Sequence, residues 1–234
     1  MENSVEMKII YHVLDAIADQ KLRAGTKLGE SDLSAIFSCN RAQIRRALAM
    51  LTGYGVVNLI ANKGAFVATP SERESRQVFQ ARRAIEASIC KNVVRNAKTE
   101  DFARLRAHLA EENAVLGPSA PAQASRAEAL RLSRRFHLIL ADLGNNEVLA
   151  QFLEELTLRS SLILGCYGSH RATLCAAGEH EKIVEAIEAR REDLAIQLLD
   201  QHLLHLENEV NFDARRSLSS PLGNILGAPN EDHS

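Results

Sequence analysis

The fold of this chain is decided by residues 40–51, Asn-Arg-Ala-Gln-Ile-Arg-Arg-Ala-Leu-Ala-Met-Leu. Ile44, Leu48 and Leu51 recur at helical spacing and form an apolar stripe, and the opposite face carries basic and amide side chains. Asn40 is suited to be the N-cap of this helix, because its side-chain oxygen can accept from a backbone N–H of the first turn. The segment therefore predicts a short amphipathic helix with one basic face.

The neighbouring segments predict a winged helix-turn-helix. A second short helix over 30–37 precedes the basic helix, and a two-stranded wing over 56–60 and 65–69 follows it, joined by a turn over 61–64. Two short helices and a wing form a shape that fits the major groove of DNA. The rest of the module is predicted to be a first helix over 4–19 and a turn over 21–28.

Composition limits the possible classes of protein. Hydrophobic residues make up 46% of the 234 residues, aromatic residues only 4%, and Trp is absent. This mix favours helix packing over a β-sandwich. The sequence has no apolar run of about 18 residues and no apolar signal core, so we expect a cytoplasmic protein without a membrane span. The four cysteines show no CxxC spacing and are expected to be reduced; they are Cys39, Cys90, Cys166 and Cys175.

Charge is distributed unevenly along the chain. Residues 1–70 contain eight Lys and Arg against six Asp and Glu, whereas residues 71–234 contain 20 against 24. The net charge of the whole chain is −2. A groove-docking module needs only a local basic face, so this distribution permits DNA binding by the first segment.

The sequence divides into a winged helix-turn-helix domain over 1–70, an all-helical domain over 71–212, and a tail over 213–234 that is expected to be disordered. The fold class is therefore mainly α. A flexible connection is predicted over 117–125. The helices predicted for the second domain cover 72–96, 99–116, 126–143, 146–165, 178–190 and 192–210.

The basic helix supplies the candidate DNA-reading residues. Arg41 and Arg45 are four residues apart and share a face, which Gln43 and Arg46 flank. Arg can bind guanine through two hydrogen bonds and Gln can bind adenine in the same way. Asn40, at the start of the helix, is a candidate phosphate contact.

The wing tip is a second candidate DNA contact. Lys63 and Gly64 can approach the minor groove, Gly64 because it has no side chain to obstruct the backbone. The alternative is that the arginines form only a solvated face. The preceding helix and the following wing favour the DNA-binding interpretation.

Four stretches of sequence resemble the winged helix of GntR-superfamily regulators, whose usual core is Ser-Arg-Thr-Pro-Val-Arg-Glu-Ala-Leu. Both arginines of that core are present here as Arg41 and Arg45. The departures from it lie at or beside base-reading positions and indicate a different operator; they are Asn40, Ala42, Gln43 and Arg46. The matching stretches cover 24–28, 30–33, 40–48 and 62–67.

Three histidines of the second domain are predicted to point inward, because each shares a helix face with apolar residues: His137, His180 and His202. An inward histidine is often a hydrogen-bonded core residue. Three of them on three helices of one bundle also suit a Zn²⁺ or Ni²⁺ site. The remaining histidines carry no motif and are expected at the surface: His12, His108, His170, His205 and His233.

The second domain resembles the FCD effector domain of the FadR subfamily. The matching segments are Arg82 to Glu86, Phe136-His137, Gly144-Asn145, 179–187, and Ala195 with His202. Many members of that family bind a divalent metal through one Asp and three His, and the metal helps to hold a small carboxylate effector. The resemblance assigns the three His positions to His137, His180 and His202, and the Asp position to Ser133.

The resemblance leaves two outcomes open at this site. A three-His centre can retain Zn²⁺ or Ni²⁺, or the histidines can bind the effector directly without metal. Arg82 is the candidate cation for the carboxylate, although it can instead pair with Glu86 on a solvated helix face. Ser133 and Asn145 complete the predicted effector site, and Asn145 has helix capping as its alternative role.

These expectations together predict a homodimeric, effector-responsive transcriptional regulator. We expect a repressor that binds a palindromic operator in double-stranded DNA and is released by a small organic acid. The competing hypotheses are a metal-dependent hydrolase and an architectural DNA-binding protein. The sequence contains no HExxH motif and no evident general base, and the winged helix has no role in a free-standing hydrolase.

Overall fold

The computed structural model describes residues 4–116, 125–169, 176–213 and residue 226. The predicted connection over 117–125 and the predicted disordered tail fall largely outside these residues. No helix within the described ranges is long and apolar enough to cross a bilayer. The elements are α1 (Val5–Ala18), β1 (Lys27–Leu28), α2 (Glu30–Ile36), α3 (Arg41–Gly53), β2 (Val57–Ile60), β3 (Gly64–Val67), α4 (Glu72–Asn96), α5 (Thr99–Leu116), α6 (Arg126–Leu143), α7 (Glu147–Tyr167), α8 (Ala176–Glu188) and α9 (Glu192–Asn208).

The winged-helix module is built on the apolar stripes of α1 and α3. Ile9, Val13 and Ile17 of α1 are fully buried, as are Ile44 and Leu51 of α3, and all five belong to one core cluster. Their burial removes apolar surface from water and fixes α3 against α1. The opposite face of α3 is left in solvent.

The wing is part of a three-stranded antiparallel sheet with the order β1-β3-β2. The sequence predicts only a turn over 21–28, and that prediction is wrong at its end, because Lys27 pairs with Phe66 and Leu28 with Ala65. A two-residue strand is too short to show an alternating pattern, and its pairing depends on β3, about 40 residues later.

The second domain is an all-helical bundle, so the predicted fold class is confirmed. The long helix α4 packs against α7 and α9, and α8 packs against α5 and α9. Residues such as Cys90, Val93, Phe136 and Leu199 form its core. The cysteines Cys39, Cys90 and Cys166 are free thiols. Two helices of this domain differ slightly from their predicted bounds: α7 continues to Tyr167 and α8 begins at Ala176.

A polar latch joins the two modules where α1 ends and α6 begins. The guanidinium of Arg126 donates to three backbone carbonyls: Ala18 at 3.1 Å, Leu164 at 2.9 Å and Gly168 at 3.2 Å. In return, the Asp19 carboxylate accepts from the backbone N–H of Ala127 at 2.9 Å. These contacts involve carbonyls at two helix C-termini and an N–H at a helix N-terminus, where helices leave backbone groups without intrahelical partners. The Leu164 carbonyl also accepts from the Gly168 N–H at 2.8 Å. The latch therefore fixes α1 to the bundle.

Close packing of α7 on α1 supports the latch. A Cβ at Gly165 would lie 2.9 Å from Cγ2 of Ile17, 3.0 Å from the Ile17 carbonyl oxygen and 3.1 Å from the backbone nitrogen of Ala18. Backbone atoms of a packed helix cannot yield as a flexible side chain can. The two helices meet at a position where only hydrogen fits.

We expect Gly165→Ala to lower the free energy of unfolding by about 1–3 kcal/mol through overpacking. At about 2–4 °C per kcal/mol, a thermal melt would show a fall of several degrees. The matched control is Gly53→Ala, since a Cβ at this helical position meets nothing within 4 Å. The control should be neutral or stabilising by up to about 1 kcal/mol. Equal melting temperatures for the two variants would contradict the close contact.

Candidate functional site

A capping box fixes the start of α3. The Asn40 side chain accepts from the backbone N–H of Gln43 at 3.0 Å, and the Gln43 side chain accepts from the backbone N–H of Asn40 at 3.1 Å. Asn40 is thus the N-cap, as expected. Both side chains are engaged in the cap in this structure, so their predicted contacts with phosphate and adenine remain predictions. The box satisfies two backbone N–H groups at the start of α3.

Arg41 and Arg45 project from the exposed face of α3 and are held by the first turn of α2. Arg41 donates to the Ser31 hydroxyl at 3.1 Å, and Arg45 donates to the Glu30 carboxylate at 2.9 Å. The side chain of Arg45 remains 68% exposed. Exposed pairs of this kind contribute little to stability, so both guanidinium groups are available to a partner.

Arg46 and the wing tip extend the same surface. Arg46 pairs with Glu6 of α1 at 2.7 Å while its side chain stays 60% exposed. Lys63 and Gly64 are exposed at the turn between β2 and β3, and Gly64 has a φ of +100° that L-residues rarely adopt. All seven predicted DNA-binding residues therefore lie on α3, at its cap or at the wing tip.

The structure brings the three predicted metal-ligating histidines together. His137 on α6, His180 on α8 and His202 on α9 are each at most 1% exposed. Their candidate ligand atoms all lie within 4.8 Å of one another, and the Nε2 atoms of His180 and His202 are 3.2 Å apart. We call these residues the histidine cluster.

Each imidazole of the histidine cluster has a carboxylate on its Nδ1 atom. Glu86 lies 2.6 Å from Nδ1 of His137, and Glu179 lies 2.7 Å from Nδ1 of His202. Both oxygens of Glu112 lie 2.9 Å from Nδ1 of His180. None of these three glutamates was identified as a site residue from the sequence. For Glu112 a signal existed, because it occupies the apolar stripe of α5.

The carboxylates determine which ring nitrogens are free. An ionised carboxylate only accepts, so an Nδ1 atom beside one donates, and that imidazole, when neutral, keeps a lone pair on Nε2. Two lone pairs facing each other at 3.2 Å repel unless a cation or proton lies between them. Two nitrogens bound to one tetrahedral Zn²⁺ at about 2.0–2.1 Å would be roughly 3.3 Å apart, so the donor set fits a metal.

The ionisation of the cluster agrees with metal ligation. Burial lowers the pKa of His137 to about 4 and lowers the pKa of His180 well below its usual range. Burial alone would raise the pKa of Glu86, but Arg82 and His137 together lower it to about 2. The imidazoles of His137 and His180 are therefore neutral near pH 7, which is the form that binds a metal ion. Burial also raises the pKa of Glu112 to about 7, because no positive group in the described part of the chain compensates its charge.

Arg82 pairs with Glu86 inside the bundle, so the predicted pair is present but its predicted solvated position is wrong. It is 3% exposed, and it donates from Nε to Glu86 at 2.8 Å and from Nη1 to the Ser160 hydroxyl at 3.0 Å. Its Nη2 atom and the Nε2 atom of His137 are buried without a hydrogen-bond partner among the described residues. Glu86 connects these two unpartnered groups.

The other predicted effector residues occupy different environments. Ser133 is buried on α6, one turn before His137. Asn145 is exposed in the turn between α6 and α7, with a φ of +49°, and so lies apart from the buried cluster. Its predicted capping role is wrong, because Asn146 is the N-cap of α7 and accepts from the Leu149 N–H.

His108 is a further correction, since it was expected at the surface and is 3% exposed. Its ring nitrogen Nε2 lies 3.1 Å from the Leu132 carbonyl oxygen, and its ring stacks on Phe136. Phe136 in turn stacks on His180 with ring centroids 3.9 Å apart. His108 thus supports the packing behind the cluster.

Two family models match the chain: the FCD domain over residues 77–205, and the gntR family of bacterial regulatory proteins over residues 7–67. The chain belongs to the GntR family and carries an FCD domain. This architecture is that of the FadR subfamily, as expected. The gntR domain implies DNA binding and the FCD domain implies a small-molecule effector; FCD domains often bind a metal.

Individual relatives agree with this assignment. The HTH-type transcriptional regulator YdhC of Bacillus subtilis (strain 168) is 24% identical, over 78% of this chain and 80% of that protein. The Uxu operon transcriptional regulator of Escherichia coli (strain K12) is 23% identical, over 91% and 93%. The crystal structure of a GntR regulator from Rhodococcus sp. RHA1 has a TM-score of 0.70 at 22% identity, over 90% and 99%. The structural likeness shows the fold.

The chain is thus a transcriptional regulator of the GntR family with an FCD effector-binding domain. Its families and relatives are regulators and not enzymes, which confirms the prediction that it is not an enzyme and rejects the hydrolase alternative.

Proposed function

We propose that the chain is a homodimeric repressor that binds a palindromic operator and is released by a small carboxylate held at the histidine cluster. One observation carries the effector half of this proposal. Nη2 of Arg82 and Nε2 of His137 are buried, unpartnered among the described residues, and joined through Glu86. Buried polar atoms are costly without a partner, so the site favours a ligand that supplies acceptors.

On the DNA side, Arg41 and Arg45 read base edges in the major groove, each suited to a guanine. Arg46 flanks this pair, and Lys63 and the backbone at Gly64 approach the minor groove. Asn40 and Gln43 cap the start of α3. Where the cap geometry allows a second contact, Asn40 also contacts phosphate and Gln43 also contacts a base. A twofold dimer places one such surface on each half-site.

On the effector side, His137, His180 and His202 hold a divalent ion, Zn²⁺ or Ni²⁺. When bound, the ion supplies positive charge and a coordination position suited to a carboxylate oxygen. Arg82 donates from Nη2 to the same anion, and Ser133 lines the site where a family ligand is usually Asp. Ser133 is neutral, so it places no negative charge directly beside the anion.

The route from the cluster to DNA runs along α6. His137 and Ser133 lie on this helix, and its first residue is Arg126 of the latch. The latch binds the end of α1, and α1 packs on α3. Glu6 of α1 also forms an ion pair with Arg46 of α3. A change in the position of α6 therefore moves α1 and α3 together. The effector releases DNA only if it binds the two arrangements with different affinity.

Selection of bound DNA from a random pool, with the protein loaded with Zn²⁺ or Ni²⁺, tests the first half of the proposal. We expect a twofold-symmetric site. A titration of that site with small mono- and dicarboxylates tests the second half, and at least one acid should weaken binding at fixed salt. A response that persists after chelation would favour direct effector binding without metal. Sequence-specific binding that no acid alters would contradict the effector proposal.

A further inference from the structure

Behind the histidine cluster lies a second layer of three glutamates, one for each imidazole. We propose that Glu86, Glu112 and Glu179 are positioning residues that fix the three imidazoles for metal binding and supply the negative charge that Ser133 does not. This inference rests on the proposed metal site and adds residues that neither the sequence nor the family resemblance assigned to that site.

The geometry of the layer is the first argument. The three carboxylates come from different helices, α4, α5 and α8, yet each meets Nδ1 of one histidine at 2.6–2.9 Å. A hydrogen bond from Nδ1 sets the tautomer, fixes the ring orientation and raises the basicity of Nε2. The three rings are thereby held in place before any metal binds.

Charge is the second argument. A protein that uses Asp as a metal ligand places one negative charge directly on the ion, and Ser133 is neutral at that position. Here three carboxylates lie instead on the Nδ1 side of the histidines, one imidazole ring away from the Nε2 atoms. A buried carboxylate is unfavourable unless a positive group compensates it. A divalent ion on the Nε2 side would provide that compensation.

The glutamates differ in how far the chain itself compensates them. Glu86 accepts from Arg82 at 2.8 Å, and Glu179 interacts with His205 at 2.7 Å and is partly exposed. Glu112 is fully buried, and its hydrogen bonds within the described residues go to His180 alone. Glu112 therefore depends most on the metal and is the residue to test.

The substitution Glu112→Gln preserves size and leaves an amide oxygen that can still accept from Nδ1 of His180, but it removes the charge. We expect the dissociation constant for Zn²⁺, measured by competition with a chromogenic chelator, to rise about 10–100-fold. The absorption spectrum of the Co²⁺-loaded protein should shift as the ligand field of His180 weakens. Its neighbour Glu111 provides the control, since Glu111→Gln makes the same change on an exposed side chain and should match the parent.

Thermal stability separates positioning from a merely structural role. Without metal, Glu112→Gln should be as stable as the parent or more stable, because an amide of the same size needs no charge compensation in a buried position. The rise in melting temperature on adding Zn²⁺ should shrink. If Glu112 only filled space, its substitution would not be expected to maintain or raise the stability of the metal-free protein while lowering its affinity for metal.

Two results would overturn the inference. One is a Glu112→Gln protein with the metal affinity and Co²⁺ spectrum of the parent; the metal site would then stand and the positioning role would fall. The other is the same outcome for Glu179→Gln, the variant to use if Glu112→Gln does not fold. We expect Glu179→Gln to weaken Zn²⁺ binding about tenfold, at the lower end of the same range. Failure of the parent itself to bind Zn²⁺, Ni²⁺ or Co²⁺ would instead contradict the proposed function.

Discussion

Joint replacement of Arg41 and Arg45 by Ala is expected to weaken operator binding by at least about 10³-fold. A bidentate Arg–guanine contact contributes about 1–3 kcal/mol of discrimination, and a dimer presents two such arginines to each of two half-sites. The lower limit for four contacts is about 4 kcal/mol, and each 1.4 kcal/mol is a factor of ten in affinity. Fluorescence anisotropy with a labelled operator fragment, at one fixed salt concentration, measures the change.

The control for this prediction removes the same two charges elsewhere. Arg73 and Arg76 are exposed on α4, outside the winged helix, so Arg73→Ala with Arg76→Ala should leave specific binding nearly unchanged. We expect the test variant to fold, because Arg45 loses an exposed pair with Glu30 worth about 0–1 kcal/mol and Arg41 loses an exposed hydrogen bond to Ser31. Parent-like affinity of the folded Arg41/Arg45 variant would remove the basis for base reading by α3.

The local features of the DNA-binding module were predictable because they are encoded locally. Helix α3 has its cap, its apolar stripe and its basic face within 13 residues, and the wing has its turn signal in Asn62 and Gly64. The inward direction of His137, His180 and His202 followed from helical spacing in the same way. Convergence of these three on one point came from the family resemblance and not from their spacing.

What the sequence could not show depends on contacts between distant segments. Glu112 and His180 are 68 residues apart, and nothing local distinguishes Glu112 from the exposed Glu111 beside it except its place on the apolar stripe. The pairing of β1 with β3 is equally non-local. His108 was misplaced because a histidine without a motif was assumed to be solvated, although it lies next to Leu109 on the buried face of α5.

The burial of Arg82 could not be predicted from the spacing of charged residues along α4. Spacing of four residues from Glu86 fits an exposed ion pair as well as a buried one. Only the packing of α4 against α7, which brings Ser160 to the same guanidinium, makes the pair part of the interior. Burial changes the chemistry of the pair, because an interior guanidinium with an unpartnered Nη2 atom is suited to bind an anion.

Removal of one imidazole by His180→Gln is expected to abolish the thermal stabilisation produced by metal. A metal at about 100 times its dissociation constant stabilises the parent by about 2.7 kcal/mol. This corresponds to a rise of roughly 5–11 °C in the melting temperature at about 2–4 °C per kcal/mol. The Gln amide can still donate to Glu112, so the substitution removes a ligand nitrogen without leaving that carboxylate unpartnered.

The same substitution should make operator binding insensitive to the acid that releases the parent, because the anion would lose the positive charge that holds it beside Arg82. His12→Ala is the matched control: it removes an imidazole from α1, outside the histidine cluster, and should keep both the metal shift and the acid response. If His180→Gln kept the full melting shift with Zn²⁺, the ion would bind somewhere other than the histidine cluster. If it lost the shift but kept the acid response, the effector would bind through Arg82 without metal.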